Sequence, residues 1–203
     1  MLGFSDGTKD GGYIRANWSI LRAKEELTKV AREEGIDVIF FDGRGGPPAR
    51  GGGNTHNFYA SLGPNVENRE IQITIQGQTI SANYGKPVSC SYNLEQLLSA
   101  GMESHLYPSS ENSLTEKQKS LIDEMADISY KAYKELKNHE QFVPYLEKVT
   151  PLKFFGMTNI GSRPVKRSKG GSMKFEDLRA IPFVGAWAQM KQNIPGFFGV
   201  GKA

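Results

Sequence analysis

The sequence predicts an α/β fold that is largely helical, with short parallel strands and long helices. Two observations support this prediction. Residues 1–53 follow the order strand, loop, helix, strand, loop, which is the pattern of a βαβ unit in a parallel sheet. Further along, apolar residues recur every three or four positions over long segments, as they do in amphipathic helices. At 203 residues, the chain is expected to form a single domain, 1–203.

The first βαβ unit begins with a short apolar strand end at residues 1–4 and a polar, glycine-rich loop at residues 5–12. A helix follows over residues 13–34. Its apolar face is predicted to consist of Ile20, Ala23, Leu27, Val30 and Ala31. Residues 36–41 are β-branched and aromatic and predict a buried strand. Because functional loops follow the carboxyl ends of parallel strands, the loops after both strands are expected at one edge of the sheet.

The middle of the chain predicts a helix from residue 54 and a half-buried strand in which three isoleucines alternate with polar residues. These isoleucines are Ile71, Ile73 and Ile75. Residues 79–84 either pair back with this strand or lead away from it. A helix over residues 94–106 is expected to turn four side chains inward. They are Leu94, Leu97, Leu98 and Met102.

The second half of the chain predicts a long helix, a short helix over residues 142–149, and a helix from Pro182 to about Gln192. Ser113 and Glu116 have the spacing of a capping box at the start of the long helix. The core-facing stripe of that helix is predicted to be Ile122, Met125, Ile128, Ala132 and Leu136.

The bulk composition excludes several classes of protein. Lys and Arg number 25 against 22 Asp and Glu, so the net charge of +3 is too small to indicate nucleic acid as a partner. The single cysteine, Cys90, rules out an internal disulfide and fits a reducing compartment. No apolar run approaches the roughly 20 residues that span a membrane. A cytoplasmic protein is expected, and the apolar character of both chain ends predicts a segment of a longer one.

The loop 42–53 contains six glycines and two arginines, Arg44 and Arg50, and directly follows a predicted strand. Glycines let a backbone approach a ligand closely, and a guanidinium offers a rigid fork of donors to carboxylate or phosphate. The loop therefore indicates an anion-binding site. Three alternatives remain open: a solvated flexible loop, a purely structural or assembly domain with no ligand of its own, and the Arg-Gly-Gly segments of disordered RNA-binding proteins, which repeat this unit many times.

Four further charged residues are predicted to belong to the same site as this loop. Asp6 follows the first strand and is suited to bind Mg²⁺, which takes one or two carboxylates and fills its other positions with water and substrate. Lys9 lies close to it. Arg163, beside a proline, and Arg179, at the start of an apolar segment, are placed in restrained settings. An excess of arginines with one carboxylate predicts a small polyanionic substrate bound through a divalent metal.

The order and spacing of five motifs resemble the phosphoenolpyruvate carboxylase family over nearly the whole chain. The motifs are MLGFSD at 1–6, GRGG at 43–46, RGGG at 50–53, GSRP at 161–164 and LRAIP at 178–182. The resemblance implies a largely helical α/β barrel of the TIM type, of which this chain is a segment from the C-terminal half. It also implies a homo-oligomer, usually a tetramer. The reaction implied is the carboxylation of phosphoenolpyruvate by bicarbonate to oxaloacetate and phosphate, through carboxyphosphate and the pyruvate enolate.

The resemblance also implies roles for single residues. Asp6 corresponds to a ligand of Mg²⁺ or Mn²⁺, and Lys9 to a cation near bicarbonate. Arg44, Arg163 and Arg179 correspond to arginines that bind substrate and phosphate. Arg50 corresponds to a loop arginine that serves catalysis and also binds the aspartate or malate inhibitor of an allosteric enzyme.

Three departures from the family limit this transfer. Asp42 stands where the family usually has His before Gly-Arg-Gly-Gly, and an ionised aspartate accepts hydrogen bonds only. The prolines at 47 and 48 stiffen the link between the two arginines. The family's second metal-binding glutamate, its upstream catalytic histidine and its C-terminal inhibitor-binding tail have no counterpart in the chain. The 203-residue chain alone is therefore predicted to be inactive.

Overall fold

A computed structural model describes residues 1–46, 48–75, 77–107, 113–155 and 173–203. Within these ranges the chain forms a small parallel sheet and helices of very different lengths. The strands are β1 (Leu2–Gly3), β2 (Phe40–Gly43) and β3 (Ile71–Ile73). The helices are α1 (Phe4–Gly11), α2 (Tyr13–Glu33), α3 (Thr55–Ala60), α4 (Gln78–Tyr84), α5 (Pro87–Leu106), α6 (Glu116–Asn138), α7 (Phe142–Val149), α8 (Leu152–Phe155), α9 (Ala180–Gln189) and α10 (Ile194–Phe197). Short 3-10 turns lie at Pro48–Arg50, Phe175–Asp177 and Val200–Lys202.

The sheet has the order β1-β2-β3, and both neighbouring pairs are parallel. Leu2 is paired with Asp42 and Gly3 with Gly43, so β1 and β2 end at the same edge. The predicted βαβ unit and the predicted α/β class are confirmed. The described strands make up a three-stranded sheet, and they do not by themselves show the barrel that the family resemblance implies.

The sequence predicts a loop at residues 5–12, but residues 5–11 are helical. Gly3 precedes the helix α1. Asp6 lies in its first turn and Lys9 in its last turn, so both charges interact favourably with the helix dipole and stabilise the helix. Phe4 and Thr8 are buried because α1 packs against α2 and α9. Asp10 lies inside α1 and is not the N-cap of the next helix, a position that Gly12 takes with a φ of 79°. Tertiary packing outweighs the low helix propensity of the glycines.

The buried strand predicted at 36–41 is observed only at Phe40–Gly43. Ile36 and Ile39 are exposed, because the short partners β1 and β3 pair only with β2 residues 40–43. The predicted strand with Ile71, Ile73 and Ile75 is confirmed only at Ile71–Ile73, and Ile75 lies beyond it and is exposed. Residues 79–84 belong to the helix α4.

The long helices lie where the sequence predicts them, although α5 begins at Pro87, seven residues before the predicted start, and their buried faces differ from the prediction. In α2 the fully buried residues are Ala16, Trp18, Lys24 and Thr28, whereas Leu27 and Val30 are exposed. In α6 they are Ala126, Ser129 and Tyr133, whereas Ile128 is exposed. In α5, Ala100 is buried and Leu94, Leu98 and Met102 are exposed. Alanines and residues with a polar group take the inward positions, and Trp18, Lys24 and Tyr133 among them are hydrogen-bonded to distant partners. The pattern of large aliphatic residues does not reveal these positions.

The helix ends also differ in detail from the prediction. The capping box of α6 is formed by Thr115 and Gln118, two residues later than the predicted pair Ser113 and Glu116. The helix α7 has the predicted bounds, and α9 ends at Gln189, three residues before the predicted end. No helix in the described part of the chain is both long and apolar enough to cross a membrane.

Two apolar cores hold the fold together, and the Arg/Gly loop lies between them. One core joins α7, α8 and α9 through Phe142, Leu146, Phe183 and Trp187, and Ala49 of the loop belongs to it. The other core joins β2, α3 and α5 through Phe40, Leu62 and Ala100, and Tyr59 of α3 belongs to it. The loop that carries both arginines is therefore held on two sides.

Candidate anion-binding site at the carboxyl edge of the sheet

The parallel pairing of β1 with β2 brings the two charged segments of the sequence together. Asp6 lies three residues beyond Gly3, and Arg44 lies one residue beyond the paired Gly43. The helix α1, the 3-10 turn Pro48–Arg50 and the helix α9 pack against one another in all three combinations. The elements that carry Lys9, Arg50 and Arg179 are therefore assembled at this edge, as expected for a site in a parallel α/β fold.

Two backbone hydrogen bonds close the Arg/Gly loop, residues 42–53. The Gly45 N–H donates to the Arg50 carbonyl at 2.7 Å, and the Gly51 N–H donates to the Pro48 carbonyl at 2.9 Å. A Cβ atom on Gly52 would lie 1.7 Å from the Gly46 carbonyl oxygen. Gly51 has a φ of 77°, a conformation that favours glycine. The glycines thus serve close backbone approach, which favours an ordered site over the flexible-loop alternative.

Arg44 is held in a buried, preorganised position. Its side chain is 7% exposed, and its Nε donates to the Gly51 carbonyl at 2.6 Å. Its guanidinium lies 3.9 Å from the ring centroid of Phe58 and 5.6 Å from that of Tyr59, within the range of cation–π attraction. A cation that is desolvated and oriented in this way interacts strongly with an incoming anion, because the local dielectric constant is low.

Arg50 is tied to the helix α1. Its Nε donates to the Ser5 hydroxyl at 3.1 Å, next to Asp6. Burial lowers the pKa of Arg50, since desolvation disfavours the charged form. A guanidinium remains charged at neutral pH even so, and it would regain favourable energy by binding an anion.

Asp6 and Lys9 differ in accessibility. The Asp6 side chain is exposed and lies against Gly3 at the end of β1. Lys9 is 5% exposed, and its Nζ lies 3.0 Å from Asp10 Oδ1 and 4.6 Å from the ring centroid of Phe175. Asp6 can thus receive a ligand from solvent, whereas Lys9 already has a carboxylate partner.

Of the two remaining arginines predicted for the site, the structure describes Arg179 but not Arg163. Arg179 precedes α9, and its Nε is buried with no hydrogen-bond partner among the described residues. Such a donor is costly unless a ligand or another segment supplies an acceptor. Arg163 lies outside the described residues, so its predicted role stays a prediction.

Asp42, whose role the sequence left open, points into the protein. It is 0% exposed, its Oδ2 lies 2.8 Å from Lys24 Nζ, and the Tyr59 hydroxyl donates to the same oxygen at 2.9 Å. Burial is the main cause that lowers the pKa of Lys24, and Asp42 opposes it. Burial first and Asp42 second raise the pKa of Tyr59, so its hydroxyl keeps its proton.

Lys24, Phe58 and Tyr59 are site residues that sequence reasoning missed. Lys24 lies four residues after Ile20 and three before Leu27, on the face that the sequence predicts to be apolar. A lysine on that face was the available signal, because a buried lysine needs a partner. For Phe58 and Tyr59 the only signal was their closeness to the loop.

Comparison with known proteins identifies the family. A family model described as phosphoenolpyruvate carboxylase matches residues 1–203, the whole chain. The chain belongs to the phosphoenolpyruvate carboxylase family. The resemblance based on the motifs is thereby confirmed.

Relatives of this carboxylase-family chain are named phosphoenolpyruvate carboxylase. The protein of Corynebacterium glutamicum is 42% identical over 206 residues, that of Mycobacterium leprae 41% over 204, and that of Rhodothermus marinus 40% over 206. Each comparison covers 100% of this chain and 22% of the relative. The chain thus spans about a fifth of the length of these carboxylases.

Proposed function

We propose that residues 1–203 supply the phosphate- and carboxylate-binding part of an enzyme that converts phosphoenolpyruvate and bicarbonate to oxaloacetate and phosphate. The observation that carries the proposal is the shared edge of β1 and β2, where Asp6 and Arg44 follow paired residues. Membership of the carboxylase family supports the same reaction, a carbon–carbon lyase reaction that fixes carbon dioxide and replenishes the tricarboxylic acid cycle.

The arginines bind and orient the substrate in this proposal. Arg44 uses Nε to hold the loop, so its terminal nitrogens are the atoms that would bind phosphate. Arg179 supplies the donor that has no partner among the described residues, and Arg163 is proposed to act with it. Arg50 is proposed to bind carbonate oxygens or, in its second role, an inhibitory dicarboxylate. Lys9, held by Asp10, contributes positive charge near bicarbonate.

The metal part of the proposal rests on Asp6. One exposed carboxylate fits Mg²⁺ or Mn²⁺, because such an ion completes its coordination with water and substrate oxygens. Within the described residues no group of three or more His, Cys, Asp or Glu side chains could hold a metal alone. Further protein ligands would come from outside these residues. The ion, when bound, would neutralise charge on the oxygens of phosphoenolpyruvate.

The finer features implied by the family belong to the same proposal. They are the TIM-type barrel that includes residues 1–203 as a C-terminal segment, the tetrameric assembly, the allosteric inhibition and the cytoplasmic location. The three parallel strands are compatible with the barrel. The near-neutral charge and the single cysteine support the location.

The test uses the protein encoded by the complete reading frame that contains residues 1–203. Bicarbonate-dependent oxaloacetate formation is measured for the wild type, for Arg44→Ala and for the control Arg69→Ala, which removes an exposed arginine. We expect Arg44→Ala to lower kcat/KM by roughly a hundredfold, as for loss of an electrostatic transition-state contact, and Arg69→Ala to leave it unchanged. Near-normal turnover of Arg44→Ala would refute the proposed role of this arginine.

A binding measurement tests the same site without turnover. Phosphoenolpyruvate with Mg²⁺ should raise the thermal midpoint of the wild type, because a ligand that binds only the folded state stabilises it. The shift should be smaller for Arg44→Ala. A protein that neither forms oxaloacetate nor responds to phosphoenolpyruvate would contradict the proposed function as a whole.

A further inference from the structure

Lys24 and Asp42 form an ion pair that solvent does not reach. Lys24 extends from α2 to the end of β2, where its Nζ lies 2.8 Å from Asp42 Oδ2. The two side chains are 1% and 0% exposed. With the Tyr59 hydroxyl, which donates to the same oxygen, they form the Lys24–Asp42–Tyr59 cluster. Neither charge can reach a ligand directly, so the cluster must act through its neighbours.

Arg44 is a second cation beside the same carboxylate. Asp42 lies in β2 and Arg44 is the first residue beyond it, and both side chains lie at Tyr59, whose hydroxyl donates to Asp42 and whose ring centroid is 5.6 Å from the Arg44 guanidinium. Arg44 lies over the ring of Tyr59, and its positive charge contributes to lowering the pKa of Lys24, after burial. The Asp42 carboxylate therefore has two cations within electrostatic reach.

The second carboxylate oxygen of Asp42, Oδ1, would be open to the Arg44 guanidinium if Lys24 were absent. Oδ1 of Asp42 is buried and has no hydrogen-bond partner among the described residues. A carboxylate that offers an open oxygen is a strong partner for a guanidinium, because the two groups match in charge and geometry. In the structure Arg44 instead donates to the Gly51 carbonyl.

We propose that Lys24 is a positioning residue that neutralises the Asp42 carboxylate and thereby leaves the charge of Arg44 available for a phosphate group. This inference rests on the proposed function of Arg44. A buried carboxylate without a counter-ion is costly, so on loss of Lys24 it draws in the nearest cation, Arg44. The other charged groups that line the cavity beside Asp42 are Glu67 and Glu70, which cannot replace a cation.

The test is the binding of inorganic phosphate, measured by calorimetry on the protein from the complete reading frame. Lys24→Met keeps the length of the side chain and removes its charge. We expect it to weaken phosphate binding at least about tenfold, since Asp42 then competes for Arg44. The double variant Lys24→Met/Asp42→Asn removes the competing carboxylate as well, and should bind within about threefold of the wild type. Lys29→Met, on an exposed position of the same helix, is the control.

The double variant separates positioning from a merely structural role. If Lys24 only stabilises the fold, removing Asp42 as well does not selectively restore affinity, and a double variant as weak as Lys24→Met overturns the inference. Unchanged binding by Lys24→Met also overturns it. Absence of phosphate binding by a wild type that forms oxaloacetate also overturns the inference, whereas absence of both phosphate binding and oxaloacetate formation refutes the proposed function itself.

A second variant covers the case in which Lys24→Met does not fold. Asp42→Asn keeps an acceptor for Tyr59 and removes the competing charge. It should bind phosphate as tightly as the wild type or more tightly, because no carboxylate then competes for the charge of Arg44. A loss of affinity of about tenfold in a folded Asp42→Asn protein would show that Asp42 itself supports the ligand, and the inference would be wrong.

Discussion

Arg50 folds back over Gly45, and no side chain larger than hydrogen fits between them. A Cβ atom on Gly45 would lie 2.8 Å from each of three side-chain atoms of Arg50. The same residues are joined through the backbone, where the Gly45 N–H donates to the Arg50 carbonyl at 2.7 Å. Lack of space, and not a positive φ, requires glycine here. The position of the Arg50 side chain thus depends on Gly45, the residue that follows Arg44.

Gly45→Ala should displace the Arg50 side chain from Ser5. We expect a loss of about 1–3 kcal/mol in the free energy of unfolding, as for other overpacked sites, and a lower turnover. Gly46→Ala is the matched control, since a Cβ there would meet only the Thr79 hydroxyl at an ordinary 3.7 Å. Urea unfolding and oxaloacetate formation are the measurements. Equal stability of the two variants would contradict the role of the contact.

Arg179→Met should separate stability from activity. The buried Nε of Arg179 has no hydrogen-bond partner among the described residues, so its removal loses no such bond within them. We expect the free energy of unfolding to change by less than about 1 kcal/mol, while the KM for phosphoenolpyruvate rises. Arg69→Met, at an exposed position, should change neither quantity. An Arg179→Met protein with unchanged KM would count against this residue as a substrate contact.

Tyr59→Phe removes one hydrogen bond to a buried carboxylate and keeps the ring beneath Arg44. Because the lost bond has a charged acceptor, the free energy of unfolding should fall by about 1.5–3 kcal/mol. Tyr92→Phe, on an exposed tyrosine, should have no effect. Chemical unfolding measures both changes. A neutral Tyr59→Phe would mean that its hydroxyl does not stabilise Asp42.

Asp42→Asn should make stability rise with pH. In this variant Lys24 loses both interactions that raise its pKa and keeps the burial that lowers it. The folded pKa then lies further below the value of 10.5 expected in the unfolded chain. Between these two pKa values the unfolded chain binds more protons, so the free energy of unfolding increases as the pH rises.

The measurement is urea unfolding of Asp42→Asn and wild type from pH 7 to about 10, below the ordinary pKa of lysine. The rise should be steeper in the variant than in the wild type. Lys24→Met/Asp42→Asn lacks the titrating lysine and should lose the additional slope. Parallel pH profiles for Asp42→Asn and wild type would show that Asp42 does not support the charge of Lys24.

The isolated 203-residue chain should show no bicarbonate-dependent formation of oxaloacetate. It spans 22% of the length of the carboxylases named above and offers one exposed candidate metal ligand, Asp6. The helix α5 also exposes Val88, Leu98 and Leu106, so the isolated chain should bind a hydrophobic dye more strongly than the protein from a longer reading frame. Oxaloacetate formation above the level of an Arg44→Ala control would disprove this prediction.

Local patterns predicted much of the framework. The bounds of α2 and α7 agree with the prediction to within one residue, because apolar periodicity and end signals are properties of neighbouring residues. The alternation of strand and helix correctly predicted the parallel pairing that places Asp6 and Arg44 at one edge. It failed for α1, whose glycine-rich sequence is helical because Phe4 and Thr8 pack against other helices.

The sequence by itself determined the family and the parallel βαβ unit, and it singled out the arginines proposed for the site, since these depend on residue order and short-range pattern. Only the tertiary structure decided that Lys24 and Thr28 face inward on α2. Their partners, Asp42 and the backbone N–H of Glu67, lie 18 and 39 residues away. A buried polar group is stable only when such a distant partner satisfies it, and no local pattern contains that information.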